Sequence, residues 1–305
     1  MFQPNYLHLL KKFSLVQPKK IQKQSILPEI LDLSDYKIIS ELGTGSYSTV
    51  YLVKELLTSK KYALKKSIAN DLDEVQKIKQ EILLVSSLPQ ANIVPIYKYL
   101  FKKLDVTTYA VYLLMPISDG DWSQEIPMRS YTQSELLNIM SQLVSTLCLF
   151  QQNGLAHRDI KPQNIFIFDN GKKYTLGDFD EIIKIPPGNY EKKEYDIKGT
   201  EMFMSPLLYT AAKEGAYHVK HNVFKSDVYS LGLCLIYAIT KNYDLVNYIK
   251  KSNDYMNVKI LSKYFNKYGY DYSNELMNII FKMIRKEERD RYDFVELNKV
   301  IESLH

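Results

Sequence analysis

The sequence predicts an α+β chain of two lobes: a small β-rich N-terminal lobe with one main helix, then a large α-helical lobe. Three observations point there. Up to Met115, β-branched and aromatic runs recur between Gly-bearing or polar breaks, the pattern of strands. One stretch interrupts them, residues 71–87, where Val75, Ile78, Ile82 and Val85 fall at helical spacing. After residue 120 the apolar period is helical almost throughout. Such an order places a ligand cleft between the lobes.

With 305 residues, 46% of them hydrophobic, the chain can bury a sizeable core. A formal net charge of +5 without a long basic block gives no reason to invoke nucleic acid or a membrane surface. No apolar run approaches the ~20 residues of a spanning helix. Lys11, Lys12, Lys19 and Lys20 interrupt any signal-peptide core, so a cytoplasmic or nuclear protein is expected. Cys148 and Cys234 lie in apolar helical patterns and read as buried small hydrophobes. The 25 tyrosines are spread over all kinds of segment and read as compositional bias.

Residues 1–35 are rich in Lys, Gln and Pro and read as an extension, either flexible or docking on the domain or a partner. The small lobe is expected over about 36–115, a connection over about 116–119 and the large lobe over about 120–304. Strands are predicted at Tyr36–Leu42, Thr49–Val53, Lys61–Lys65, Ile93–Tyr99 and Tyr109–Met115. Asn70-x-x-Asp73 is the expected cap of the single helix. In the large lobe, Thr132-x-x-Glu135 forms a capping box opening a helix that buries Leu136, Met140, Leu143, Val144 and Leu147 and stops at Asn153-Gly154. Short strands follow at Ile165–Phe168 and Tyr174–Leu176, then helices at 226–240, 244–251, 273–285 and 293–304.

The chemistry concentrates in His157-Arg158-Asp159-Ile160-Lys161-Pro162-Gln163-Asn164. Asp159 can accept a hydroxyl proton, Lys161 can neutralise charge on a transferred phosphoryl group, and Asn164 offers a metal-facing carbonyl. Gly177-Asp178-Phe179 places a second carboxylate after a short strand; an Asp and an Asn together suit Mg²⁺. Gly43-x-Gly45-x-x-Ser48-x-Val50 joins two strands, and glycines there let backbone amides approach phosphate oxygens. Lys65 lies one strand later, and Glu81 on the helix can hold its ammonium in direction.

These residues, in this order, resemble a eukaryotic protein kinase of the serine/threonine type over about residues 36–304. The resemblance implies a two-lobed kinase fold, ATP and Mg²⁺ as cofactors, and a protein substrate. It implies Lys65 on the α/β-phosphates paired with Glu81, Asp159 as catalytic base, Lys161 beside it, and Asn164 and Asp178 as metal ligands. Leu42, Gly43, Gly45, Val50, Ala63 and Phe166 would enclose the nucleotide below Met115 as gatekeeper. Pro116–Ser118 would form the hinge; Pro116 has no amide proton, which leaves the adenine contacts to Ile117 and Ser118. Asp119 or Asp121 would reach the ribose. Lys161 and the Gly199-Thr200…Ser205-Pro206 platform match the serine/threonine rather than the tyrosine type. Ser226–Gly232 resembles the central helix whose Asp227 caps the catalytic-loop backbone.

Three departures stand out. The metal motif reads Asp178-Phe179-Asp180 instead of ending in Gly, which is expected to restrict the loop and, through repulsion beside Asp178, to steepen the Mg²⁺ requirement. Leu207 stands where the family has a Glu that pairs with the late arginine, here Arg291. Between Asp178 and Ser205 the only Ser or Thr is Thr200, so Asp196, with Glu194 nearby, is expected to stand in for a phosphorylated residue facing Arg158. The alternative from another class is a nucleotide-binding pseudokinase scaffold, which the departures favour and the intact Lys65, Glu81, Asp159, Lys161, Asn164 and Asp178 oppose. A small-molecule phosphotransferase would need neither Lys161 nor the peptide platform.

Overall fold

The computed structural model describes residues 28–304 except 46–47, 89–91, 187–192 and 269–273. The docking or flexible role expected of residues 1–27 therefore lies outside the described residues, as do Ser46 and Tyr47 of the glycine-bearing turn. The small lobe is a six-stranded sheet in the order β1-β5-β6-β4-β3-β2. Its members are β1 (Glu29–Ile30), β2 (Tyr36–Thr44), β3 (Ser48–Glu55), β4 (Lys61–Ala69), β5 (Lys98–Lys103) and β6 (Tyr109–Met115). All neighbours are antiparallel except β1 on β5.

β1 comes from the stretch ahead of residue 36, which is expected to be an extension, flexible or docking on the domain. Glu29 and Leu31 donate to the carbonyls of Tyr97 and Tyr99, and Leu31, 2% exposed, joins Val53, Leu64 and Leu114 in a small core. One apolar anchor and two backbone bonds thus recruit a polar stretch to the sheet. The expected strand at Ile93–Tyr99 also shifts, to Lys98–Lys103. Ile93 instead makes an isolated bridge to Leu176 of the large lobe, with Val94 donating to the Leu176 carbonyl and Leu176 to that of Asn92.

α1 (Leu72–Ser86) buries Val75, Ile82 and Val85. Its cap is Asp71, whose carboxylate accepts from the Glu74 amide, while Glu74 accepts from the Asn70 amide. The cap thus falls one residue after the Asn70 start expected from the sequence, and the two acids satisfy the amides of Glu74 and Asn70.

In the large lobe, a two-residue strand β7 (Gly120–Asp121) and a short helix α2 (Trp122–Glu125) lead to α3 (Gln133–Gln152). The Thr132/Glu135 capping box is formed and the expected apolar face is buried. β8 (Leu155–Ala156), β9 (Ile165–Phe168) and β10 (Lys173–Leu176) follow, with β9 between β7 and β10. β11 (Ile183–Lys184) pairs with β8. β12 (Glu194–Asp196) pairs with β13 (His218–Lys220), beyond α4 (Pro206–Lys213). The helices α5 (Val223–Thr240), α6 (Tyr243–Lys251), α7 (Asp254–Tyr268), α8 (Asn274–Met283) and α9 (Phe294–Glu302) complete the lobe. α5 is the one described helix long and apolar enough to cross a membrane, but 83% of it is buried in the protein, as befits a core helix.

Candidate active site

β8 ends at Ala156, and the chain then turns through His157–Asn164 before re-entering a sheet as β9. The turn is fastened from below by Asp227 of α5, whose carboxylate accepts from the amides of His157 (2.8 Å) and Arg158 (3.0 Å). His157 is fully buried; burial holds its pKa below the ordinary imidazole value and keeps the ring neutral. A neutral ring has one donor and one acceptor. Nε2 donates to the Gly177 carbonyl at 3.1 Å and Nδ1 accepts from the Asp159 amide at 3.3 Å. His157 thereby links the His157–Asn164 turn to the Asp178 motif.

Asp159 is surrounded by donors. One carboxylate oxygen accepts from the amide and the hydroxyl of Thr200, each at 2.8 Å. The other accepts from Lys161 Nζ at 2.7 Å and Asn164 Nδ2 at 3.2 Å. Lys161 also donates to Thr200 Oγ at 2.9 Å. These donors fix where both oxygens of the carboxylate stand. Thr200 can come this close because Gly199 precedes it: with φ +107°, a Cβ at Gly199 would fall 2.5 Å from the Arg158 carbonyl oxygen. The sequence placed Thr200 only in the peptide platform; its contacts with Asp159 and Lys161 emerge from the fold.

Asn164 uses its amide nitrogen on the Asp159 backbone and side chain, which turns its carbonyl away from them. Asp178, carried by β10 and pinned through the Ile93–Leu176 bridge, adopts φ +58°, a left-handed geometry that Asp tolerates. An amide carbonyl and a carboxylate are hard oxygen donors, and the chemistry of that set fits Mg²⁺. Phe179 anchors the motif in the large lobe against Phe150 and His157, with ring centroids 6.1 and 5.6 Å away.

The main correction concerns Lys65. Its ammonium, on a side chain 10% exposed, lies 2.6 Å from Asp178 Oδ1 and 2.7 Å from Asp180 Oδ2. The expected pair with Glu81 is not formed; Glu81 makes its ion pair with Lys77, one helical turn away, at 3.9 Å. Burial pushes the Glu81 carboxyl up to about 7. Burial alone would pull Lys65 down, but Asp180 and Asp178 outweigh it and leave its pKa raised. Lys65 lies against both acids but does not cancel the repulsion expected between them: burial, with Asp178 adding to it, leaves the Asp180 carboxyl raised, while against burial Lys65 holds that of Asp178 below its ordinary value. Nor does Asp180 strain the loop, since its φ is outside the left-handed region where glycine would be needed.

The positions expected to face a nucleotide fall together on the sheet. Val50 is paired in register with both Gly43 and Lys65, and Ala63 with Met115. The Gly45 amide donates to the Ser48 carbonyl at 2.7 Å, and Leu42 is half exposed at the lobe's edge. Across the connection, Ile117 is exposed and Ser118 half-buried, while β9 brings up Phe166. Phe166 packs directly on the backbone of Gly177, where a Cβ would fall 2.8 Å from the ring. The two carboxylates expected near the ribose are already engaged: Asp119 accepts from the Asn170 amide, and Asp121 caps α2.

Two departures acquire partners. Arg158 donates to both oxygens of Asp196, at 2.6 and 3.2 Å, and lies 3.7 Å from Glu181. The guanidinium holds the Asp196 carboxyl below the usual carboxylate range. Glu194 is exposed. Arg291, left without a Glu at position 207, is buried over the Tyr229 ring and donates to the carbonyls of Arg285, Lys286 and Lys225. Glu288 supplies an acid at 4.0 Å and also accepts from the Asn222 amide at 3.0 Å.

The sequence profile of the protein kinase domain matches residues 36–300. Among relatives, the serine/threonine-protein kinase PrkC of Bacillus subtilis is 27% identical over 266 residues, 86% of this chain and 39% of the relative. The human serine/threonine-protein kinase Nek2 is 28% identical over 276 residues, 86% of this chain and 58% of the relative. The serine/threonine-protein kinase PLK4 of Xenopus tropicalis is 23% identical over 262 residues, 84% of this chain and 26% of the relative. The chain thus spans less than two thirds of the length of each.

Proposed function

The chain belongs to the protein kinase family, and from that premise we propose that it transfers the γ-phosphoryl group of ATP to a serine or threonine hydroxyl of a protein substrate. The observation that carries this reading is the Asp159–Lys161–Thr200 cluster, in which one ammonium at 2.7–2.9 Å joins the carboxylate to the platform hydroxyl. A substrate hydroxyl arriving at Asp159 competes with Thr200 Oγ for the same oxygen and gives up its proton to it. Lys161 stays beside the developing charge on the phosphoryl group. Asn164 and Asp178 would hold Mg²⁺, which supplies charge neutralisation at the phosphates when bound. Lys65 is the cation within reach of the α/β-phosphates.

Under this reading Asp159→Asn lowers kcat by roughly 10²–10⁴, because the amide cannot take the proton. The test is transfer of labelled phosphate from ATP to a generic protein substrate, beside nucleotide binding by the same preparations. Binding without transfer by the unaltered protein would instead establish the pseudokinase scaffold. That second reading draws on one observation, the engagement of Lys65 by two acids of its own chain.

A further inference from the structure

Two acids, two residues apart, converge on one lysine. Asp178 and Asp180 both reach the Lys65 ammonium at hydrogen-bond distance, while Glu81, on the helix beside it, is paired elsewhere. The two acids are not equivalent. Asp178 shares with Asn164 the donor set for Mg²⁺, so its carboxylate is needed there when metal and nucleotide are present. Asp180 has no such second claim on it: among the described residues its carboxylate is hydrogen-bonded to Lys65 alone. Its backbone is unstrained, and Phe179 beside it is seated on Phe150 and His157, which fixes where it stands.

We propose that Asp180 is the positioning residue of Lys65, holding the ammonium in direction for the nucleotide phosphates, with Glu81 in reserve. The proposal rests on the assignment of Lys65 to the phosphates in the reading above. It has a structural consequence. A lysine on β4 held from the Asp178–Asp180 turn is tied to the large lobe directly, so its direction does not depend on where α1 stands. Its electrostatic logic is also sound: a nearly buried ammonium needs a carboxylate at all times, and Asp180 remains available when phosphates and metal claim Asp178.

Affinity for ADP, measured calorimetrically in EDTA and again in Mg²⁺, tests this on four proteins: unaltered, Asp180→Gly, Glu81→Gln and the double variant. The expected result is an about tenfold weaker ADP affinity for Asp180→Gly. Because Glu81 then becomes the remaining acid, Glu81→Gln should cost about tenfold more in that background than in the unaltered protein. Asp180→Asn, which keeps the side chain's shape and removes its charge, should behave as Asp180→Gly and serves in its place if the glycine variant does not fold. Independent, simply multiplying effects at the two positions would overturn the proposal, as would an Asp180→Asn protein that binds ADP like the unaltered one. Binding of ADP requires no phosphoryl transfer. A protein that shows the coupling and transfers nothing refutes the kinase reading alone, and one that transfers without the coupling refutes only the role of Asp180.

Discussion

Glu81 shows how a single side chain can be expected in one role and found in another. On the sequence it is the acid nearest Lys65 with the right helix and face; in the fold it is a partly buried carboxyl whose pKa has risen to about 7. A carboxyl raised in the folded state binds its proton more tightly there than in the unfolded chain. The stability it contributes is complete below its ordinary value of 4.5 and is lost as pH rises through about 7. Glu81→Gln removes that loss. The variant's melting temperature should therefore gain on the unaltered protein by a few degrees between about pH 5 and pH 8, read by calorimetry at each pH. A constant difference across that range would show that Glu81 is paired with Lys65 in solution after all. That Asp159, Lys161 and Asn164 would meet was legible because their spacing is local. The partner of Lys65 was not, because Asp180 is far from it in sequence and only the fold brings them to 2.7 Å.

Elements were legible where their periodicity was strong. α3 and α9 fall within a residue or two of expectation, since each opens on a side-chain cap and buries a regular apolar stripe. α7 was missed because its buried side is narrow and begins with a polar residue: Asn257, Leu261 and Phe265 are buried, and Asn257 bonds to the Ile249 carbonyl. α4 was read only as platform, although Pro206 at its first turn is a helix-start signal. β1 gives almost no pattern in two residues, yet Leu31 behind it is nearly fully buried. Leu31→Ala should destabilise the small lobe by about 2–5 kcal/mol, seen as a lower midpoint in urea unfolding. No change would mean that β1 does not belong to the folded sheet. The β12–β13 pair has its own prediction, since it holds Asp196 against Arg158. Asp196→Ala leaves a buried guanidinium short of its bidentate partner and should lower kcat by about tenfold without any phosphorylation step. An unchanged rate would reduce Asp196 to a solvated charge.

At the scale of the molecule, specific ties join the two lobes beside the apolar packing of Val85 into the large-lobe core. Ile93 bridges to Leu176, and Lys65 reaches across to Asp178 and Asp180. The two-lobe α+β order was readable from the change of period after Met115, while these ties were not, because each joins residues distant in sequence. Together they place β4, the Asp178 turn and the catalytic turn in one frame, with Asp227, His157 and Thr200 bracing it from the large lobe. With Asp196 already on both nitrogens of Arg158, the loop is held there by an acid of the chain itself, without a phosphorylated residue. The measurement that tests this most directly is phosphorylation of a positional-scanning peptide library by the unmodified protein with labelled ATP and Mg²⁺. Label is expected on serine and threonine peptides and is lost in Asp159→Asn. Nucleotide binding with no label on any peptide, or label confined to tyrosine, would contradict it.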